Sequence, residues 1–157
     1  MTTRGITILR ARRSDLDLVV RIENECFLPE DRFTPRVLRY LVEQAEGGCF
    51  TAAIGGRTVG YLSLLKRENC HNVRIYSIAV LQEAQGCGVG SALIEYAIDY
   101  AVRSGYERLT LEVRTDNEAA IRLYRSYGFK TLKTLKGYYH DGCDALKMGL
   151  DSLGAER

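Results

Sequence analysis

The sequence predicts a mixed α/β fold, in which a largely antiparallel seven-stranded sheet carries about four helices on its two faces. Runs rich in β-branched and aromatic residues follow one another in the middle of the chain with only short turns between them, which is typical of a meander. Later strand-like runs alternate with stretches of helical periodicity. Strands joined through helices form a sheet that is covered on both faces, so the two patterns together predict this class.

The first part of the chain contains a strand and two helices. Ile6–Arg10 alternates like a strand, and residues 14–17 resemble a capping box that starts a helix near Asp15. A second helix starts at Thr34-Pro35, because Thr is a favourable N-cap and Pro fits the first turn of a helix. The pair Gly47-Gly48 is expected to end that second helix.

The rest of the chain supplies the other strands and helices. Residues 50–54 and 58–65 flank Gly55-Gly56, a dipeptide that predicts a tight hairpin, and residues 73–81 are expected to form the third strand of the meander. There follow a helix over 90–104 closed by Gly105, a strand over 109–113, a helix over 117–127 ended by Gly128, and strands over 129–135 and 144–150. No linker or repeat divides the sequence, which predicts a single domain over residues 1–157.

Composition and charge exclude several classes of protein. The net charge of +2 over 157 residues gives no reason to expect a nucleic acid as partner, and no apolar run is long enough to cross a membrane. The five cysteines are odd in number and form no C-x-x-C, which favours reduced thiols in the cytoplasm over a disulfide framework or a metal site. We therefore expect a cytoplasmic monomer or homodimer that needs no metal, nucleic acid or membrane.

The residues from Gln85 to Gly90 form a glycine-rich turn between a strand and a helix. Glycine lets the main chain approach an anion closely, and the amide groups and dipole of a helix N-terminus attract phosphate. The turn is not a nucleotide-binding P-loop, since no Lys follows, and Leu93 stands where the dinucleotide fingerprint requires its third glycine. The other interpretation is a turn that only lets a helix pack on a sheet.

Read as Q-x-x-G-x-G, this turn resembles the coenzyme A pyrophosphate loop of the GCN5-related N-acetyltransferases, the GNAT family. Further motifs of that family follow in the same order: L-E-V-R from Leu111, N-E-A-A from Asn117, L-Y from Leu123, Y-G-F from Tyr127 and G-Y-Y-H-D-G from Gly137. The first and last of these are most similar to protein N-terminal acetyltransferases, including the bacterial ribosomal-protein alanine type. The resemblance implies a GNAT-like sheet in which a central strand pair splays apart around the cofactor.

The resemblance also implies acetyl-CoA as cosubstrate and indicates the residues that hold it. The loop amides would bind the pyrophosphate, and the main chain of the preceding strand would pair with the pantetheine arm. Asn117 would orient that arm, or simply cap a helix. The residues implied in cofactor binding are Ile78, Ala79, Val80, Gln85, Gly86, Cys87, Gly88, Val89, Gly90, Ser91, Asn117 and Tyr124.

Glu112 and Tyr124 are the candidate catalytic residues. By resemblance the Tyr124 hydroxyl lies beside the cofactor sulfur, and a phenol with a pKa of about 10 can act as an acid toward a departing thiolate. Its helical spacing is equally typical of a core aromatic. Glu112 shares a strand face with Thr110 and Arg114, and a carboxylate within a covered sheet indicates a cavity or water on that face. The resemblance makes it the base for the substrate amine, while an ion pair with Arg114 or a nearby Lys is the structural alternative.

Substrate contacts are implied in two loops. Phe27, Leu28 and Pro29 follow the first helix, where the family reads its substrate, and Tyr138 and Tyr139 lie where N-terminal acetyltransferases close over a peptide. An aromatic pair on a hairpin is also consistent with cross-strand packing. We expect the amine of a protein or peptide N-terminus to attack the thioester directly. A lysine side chain, a polyamine or another small amine is the alternative substrate, and a non-catalytic acyl-CoA-binding module is the alternative function.

Overall fold

A computed structural model describes residues 2–3, 5–45, 47–66, 71–151 and 153. The strands are β1 (Thr2–Thr3), β2 (Ile6–Arg10), β3 (Gly47–Ile54), β4 (Arg57–Lys66), β5 (Asn72–Val80), β6 (Arg108–Arg114), β7 (Lys130–Leu135) and β8 (Ala145–Leu150). The helices are α1 (Leu16–Cys26), α2 (Pro35–Glu43), α3 (Val89–Arg103) and α4 (Glu118–Ser126). The chain divides into two compact units, one of Met1–Leu65 with Tyr76–Tyr96 and one of Lys66–Ile75 with Ala97–Arg157. Both β5 and α3 therefore contribute residues to each unit.

The strand order is β1-β2-β3-β4-β5-β6-β8-β7. Pairing is antiparallel from β1 through β4 and again between β6, β8 and β7, whereas β5 and β6 are parallel. The predicted mixed, largely antiparallel sheet with four helices is confirmed, and the two-residue β1 adds to the seven longer strands. The ladder of β5 with β6 pairs residues 72–74 with 108–110, so these two strands pair over only part of their described length.

In the first unit, α1 and α2 pack on buried side chains of the sheet. The apolar positions of both helices recur at helical spacing, so each helix presents one apolar stripe to the core. The fully enclosed residues of this core include Val19, Ile22, Leu38, Leu41 and Tyr61.

The two helices of this unit start differently from one another. The predicted Thr34 cap is confirmed, because its Oγ1 accepts a hydrogen bond from the Val37 amide at 3.2 Å. The predicted capping box before α1 is wrong. A short 3₁₀ turn precedes that helix, and the cap expected from a Ser side chain is not formed. The Asp15 carboxylate instead accepts a hydrogen bond from the Arg12 amide at 2.8 Å. Arg12 and Asp15 thus close the 3₁₀ turn, and α1 begins at Leu16, one residue later than predicted.

Two glycine pairs have different outcomes. Gly55 and Gly56 have φ values of 56° and 82° and form the predicted hairpin turn between β3 and β4. Gly47 and Gly48 do not end α2, which stops at Glu43; they open β3 with φ values of 98° and 99°. A Cβ at Gly47 would collide with the main chain of Leu64 on β4. This glycine is therefore required for the close approach of two strands.

In the second unit, polar and apolar residues alternate along β6. Leu109, Leu111 and Val113 are buried, while Thr110 and Glu112 belong to the opposite face. The last part of α3 contributes buried small residues such as Ala97 and Ala101, and Gly105 closes the helix with a φ of 79°, as predicted. This alternation is what directs the polar side chains of β6 to one surface.

No helix within the described part of the chain is long and apolar enough to cross a membrane. The cysteines that the structure describes, Cys26, Cys49, Cys87 and Cys143, are free thiols, and Cys70 lies outside the described residues. Across the same residues, no group of three or more His, Cys, Asp or Glu side chains is arranged to hold a metal ion.

Candidate active site

The glycine-rich turn of the first unit leads from β5 through a 3₁₀ turn (Gln82–Ala84) into α3. Gly86 and Gly88 have φ values of 84° and 87°, a region that residues with a Cβ rarely adopt. The helix begins at Val89, one residue earlier than expected, so the turn ends directly on the helix N-terminus. The first N–H groups of a helix have no acceptor within it, and here they follow an exposed glycine turn. The local structure is therefore suited to an anion.

Packing beneath the turn fixes its position. Val89 is buried, and Gly60 on β4 lets the neighbouring strand come close, since a Cβ there would lie 2.8 Å from the Ala79 carbonyl oxygen and 3.2 Å from Val89. The Cys87 amide donates to the carbonyl of Ala84 at 3.3 Å and the Gln85 amide to that of Gln82 at 3.1 Å, so these two amides of the implied set serve the turn itself. The remaining amides of the turn are the candidates for binding phosphate.

Ile78, Ala79 and Val80 form the end of β5, beyond its ladder with β6. The Val80 carbonyl accepts a hydrogen bond from the Cys26 thiol at 3.4 Å, which ties the strand end to α1. Burial raises the pKa of Cys26 to about 11, and the nearby Glu23 charge adds to that effect. The thiol therefore remains a protonated donor at neutral pH and is not a nucleophile.

Glu23, which the sequence analysis did not single out, stabilises the loop between α1 and α2. Its side chain is 1% exposed and accepts hydrogen bonds from the Tyr61 hydroxyl at 2.5 Å and from the Phe33 amide at 2.9 Å. Burial raises its pKa above the ordinary value, and the two hydrogen bonds offset part of that rise. The sequence does contain a signal for this role, because Glu23 lies on the same face of α1 as Val19 and Ile22. A carboxylate on a buried face needs a partner.

The predicted substrate loop is held at both ends. The Arg32 guanidinium donates to the Phe27 carbonyl at 2.9 Å, and the Phe33 ring stacks on Tyr76 with centroids 4.7 Å apart and planes 5° from parallel. Leu28 between these anchors is 54% exposed. Of the three residues expected to contact substrate, Leu28 and Pro29 are thus exposed, and Phe27 is partly buried.

In the second unit, Glu112 lines a cavity of about 320 Å³ on the polar face of the sheet. The cavity predicted beside this carboxylate is present. Arg74 binds Glu112 with a two-pronged ion pair, Nε to Oε2 at 3.2 Å and Nη2 to Oε1 at 2.8 Å. The structural alternative is therefore also realised, with Arg74 as partner where Arg114 or a Lys was expected. The Glu112 side chain retains 14% exposure, so it is oriented by the guanidinium without being sealed off.

Arg114 instead stabilises the turn that carries Tyr138 and Tyr139. Its guanidinium pairs with Asp116 at 3.1 Å and with Asp141 at 2.6 Å and lies 4.9 Å from the centroid of the Tyr139 ring. These hydrogen bonds hold the pKa of both aspartates below the usual range. The two tyrosine rings pack edge to face at 5.1 Å, but they are consecutive residues between β7 and β8 and are not the cross-strand pair of the packing interpretation; Tyr138 remains 48% exposed.

Tyr124 lies on the buried side of α4. The residue is 5% exposed and its ring packs against Phe129 with centroids 5.9 Å apart. Burial raises its pKa, and the proximity of Tyr139 adds to the rise, so the phenol stays protonated at neutral pH. Among the described residues, none forms a hydrogen bond with its hydroxyl. Tyr124 is thus both a core residue and a hydroxyl donor that no described residue accepts from.

Asn117 is the N-cap of α4. Its Oδ1 accepts a hydrogen bond from the Ala120 amide at 3.2 Å, so the capping interpretation of this residue is realised. Cofactor binding by the same side chain remains a prediction.

Four basic residues that line the cavity were missed by the sequence analysis: Arg74, Arg108, Lys133 and Lys147. Arg74 could have been noticed, because it is the only charged residue of β5 and alternates with the buried Val73 and Ile75. No pattern within the sequence places the two lysines beside Glu112, since this depends on the register of β7 and β8.

The comparison with protein-family models gives a match over residues 16–129, to the model described as the Acetyltransferase (GNAT) family. The chain belongs to this family. The match includes the turn at Gly86, Glu112 and Tyr124, and the protein is accordingly a GNAT-type acetyltransferase.

Individual relatives agree with this assignment. An N-alpha-acetyltransferase of Sulfurisphaera tokodaii is 35% identical over 153 residues, which cover 90% of each chain. The crystal structure of the ribosomal-protein-S18-alanine N-acetyltransferase from Escherichia coli matches with a TM-score of 0.83 and 29% identity over 94% of each chain. A chain of the NatC complex bound to Gag peptide and CoA has the same fold, with a TM-score of 0.82 at 22% identity over 94% of this chain and 98% of that one. N-acetyltransferase activity is the function that these relatives support.

Proposed function

We propose that this GNAT protein transfers an acetyl group from acetyl-CoA to the α-amine of a protein or peptide N-terminus. The proposed substrate rests on the 35% identity to an N-alpha-acetyltransferase over 90% of both chains. The family model also runs across residues of both compact units, which supports one acetyltransferase domain. A lysine side chain or a small amine remains the competing substrate, and no contact in the described structure favours it.

The turn around Gly86 and Gly88 fits the pyrophosphate of acetyl-CoA. Its positive φ values, its exposure and its junction with the α3 N-terminus supply close main-chain approach and a favourable dipole. Acetyl-CoA contributes an acetyl group activated as a thioester. The solved NatC neighbour was bound to CoA, which supports the same cofactor here.

Glu112 and Tyr124 would move the two protons of the reaction. The amine nitrogen bonds to the acetyl carbon as the carbon–sulfur bond breaks, and the nitrogen must lose a proton while the sulfur gains one. Glu112, oriented by Arg74 and open to a cavity, would accept the amine proton directly or through water. Tyr124, whose raised pKa keeps it protonated, would donate to the thiolate.

Calorimetry with a matched pair of glycine variants tests the cofactor site. Gly86 and Gly56 both have positive φ, and a Cβ at either position meets no atom of the protein within 4 Å. Both Ala variants should therefore lose about 1 kcal/mol of stability from backbone strain. Gly86→Ala alone should weaken binding of CoA, by about tenfold or more, because its added methyl group meets the ligand. Equal affinity in the two variants, or no heat with CoA at all, would contradict the proposed site.

A substrate panel tests the acceptor. Peptides with free N-termini should be acetylated with a higher kcat/KM than the same peptides with a blocked N-terminus and a free lysine, or than polyamines. Mass analysis should locate the acetyl group on the α-nitrogen. Faster acetylation of the blocked lysine peptides would show that a lysine side chain, and not the α-amine, is the substrate. CoA binding without turnover on any amine would indicate a non-catalytic module.

A further inference from the structure

A row of charged side chains in the second unit crosses four strands. Lys147 on β8 lies directly opposite Glu112 on β6 and, on its other side, directly opposite Lys133 on β7. Arg74 continues the row on β5 through its ion pair with Glu112. The row therefore contains three cations and one carboxylate, and all four residues line the same cavity.

A β-bulge creates the arrangement of the two lysines. The register of β7 with β8 shifts between Thr131 and Lys133, which leaves Leu132 as the extra residue. A regular ladder would pair Leu132 with Lys147 and turn Lys133 to the other face of the sheet. Gly149 accommodates the bulge, because a Cβ there would lie 2.9 Å from Leu132 Cδ1. The local fold thus brings a second lysine to the cavity.

The cavity carries more positive than negative charge. Among the described residues that line it, four are cationic and Glu112 is the one carboxylate. Arg74 is paired with Glu112, and Arg108 is paired with Asp151. Neither the Lys133 nor the Lys147 side chain has a hydrogen-bond or ion-pair partner within residues 5–45, 47–66 and 71–151. Like charges directly opposite each other on paired strands repel, so an anion placed between them would be stabilised.

We propose that this cavity binds the carboxylate of an acidic side chain close to the N-terminus of the substrate peptide. The inference rests on the proposed function, because Glu112 is there the base that meets the amine. An anion bound beside the same carboxylate would lie next to that amine, and for this reason we assign it to the peptide. A volume of about 320 Å³ accommodates an Asp or Glu side chain with water. The two lysines are the specificity-determining residues, and the protein prefers N-termini followed by an acidic residue.

Matched peptides that carry Glu or Gln at the second, third or fourth position test this preference. At one of these positions the Glu peptide should have a kcat/KM about tenfold above that of the Gln peptide, the usual size of a charge-assisted hydrogen bond. The ratio should fall at high ionic strength, because salt screens an open site. Lys133→Gln and Lys147→Gln should each reduce the ratio several-fold.

Lys130→Gln is the control, since Lys130 is an exposed lysine of the same strand that does not line the cavity. It removes the same net charge and should leave the Glu-to-Gln ratio unchanged. Equal rates for Glu and Gln peptides at every position would overturn the inference while leaving the proposed function intact. An equal drop of the ratio in all three variants would also overturn it, as would acetylation of free glutamate in preference to every peptide. No acetylation of any peptide would remove the proposed function and the inference with it.

Discussion

Glu23 and Glu112 are carboxylates in two different environments. Glu23 is closed off from water and accepts hydrogen bonds from two neutral donors, the Tyr61 hydroxyl and the Phe33 amide. Glu112 is held by the cation Arg74 and opens on a basic cavity. A buried acid with neutral partners stabilises a local structure, whereas an oriented acid with access to a cavity can exchange a proton with a ligand. The environment of each residue, and not its type, separates a structural glutamate from a candidate base.

The largest expected effect comes from Glu112→Gln. Loss of a general base lowers kcat by about 10²–10⁴-fold, while KM for acetyl-CoA should change little. Steady-state kinetics with a saturating peptide measures this loss. Glu107→Gln is the control, because that side chain is exposed and close in sequence but plays no part in the cavity. If Glu23→Gln reduced kcat as strongly as Glu112→Gln, the distinction between the two glutamates would be broken.

A second contrast concerns two buried tyrosines. Burial raises the pKa of both Tyr61 and Tyr124, but the Tyr61 hydroxyl is hydrogen-bonded to Glu23, whereas the Tyr124 hydroxyl has no hydrogen-bond partner among the described residues. Tyr124→Phe should lower kcat about 10–100-fold with little change in thermal stability, because it removes a donor that serves the reaction. Tyr61→Phe should lower stability by about 1–3 kcal/mol, because it leaves a buried carboxylate short of a hydrogen bond. Thermal melts and kcat values measured on both variants decide between the two roles; a stability loss in Tyr124→Phe without a change in kcat would assign Tyr124 to the core alone.

The order of the elements was predictable from the sequence because it depends on local patterns. The hairpin at Gly55 and Gly56, the Thr34 cap and the alternation of β6 each follow from residues that are neighbours in the chain. The expected end of α2 at Gly47 was wrong, because that glycine is needed where the main chain of Leu64, seventeen positions further along, comes too close for a Cβ. Contacts between distant residues leave no such local trace.

The candidate site was predictable to the same extent. The turn at Gly86 and the positions of Glu112 and Tyr124 follow from motifs, and the cavity beside Glu112 follows from strand alternation. The partner of Glu112 was predicted on the wrong element, because Arg74 reaches it through a parallel pairing of β5 with β6 that the sequence does not specify. Lys133 was not predicted at all, since a one-residue bulge decides which face of the sheet it occupies.

The pH dependence of stability gives a smaller effect that sharpens the first contrast. Because burial raises the pKa of Glu23 above its ordinary 4.5, its protonated form is favoured in the folded protein. Relative to Glu23→Gln, the wild type should therefore be most stable at a pH below the ordinary pKa of 4.5. The difference in the free energy of unfolding should decline as the pH rises through the pKa of Glu23 in the folded protein. Urea unfolding of both proteins at pH values from 4 to 8 measures this difference. A difference that grows with pH would show that Glu23 is held as a stabilised anion.

The smallest effect concerns the helix caps of the two units. Thr34 and Asn117 each accept a hydrogen bond from an amide three residues on, both at 3.2 Å. Replacing either with Ala should cost about 1 kcal/mol, so thermal melts alone cannot tell the two apart. Asn117→Asp preserves the cap but removes the amide donor. If Asn117 also orients the pantetheine arm, Asn117→Asp should raise KM for acetyl-CoA at wild-type stability, whereas Thr34→Ala should leave that KM unchanged. An unchanged KM in Asn117→Asp would restrict Asn117 to its role as the cap of α4.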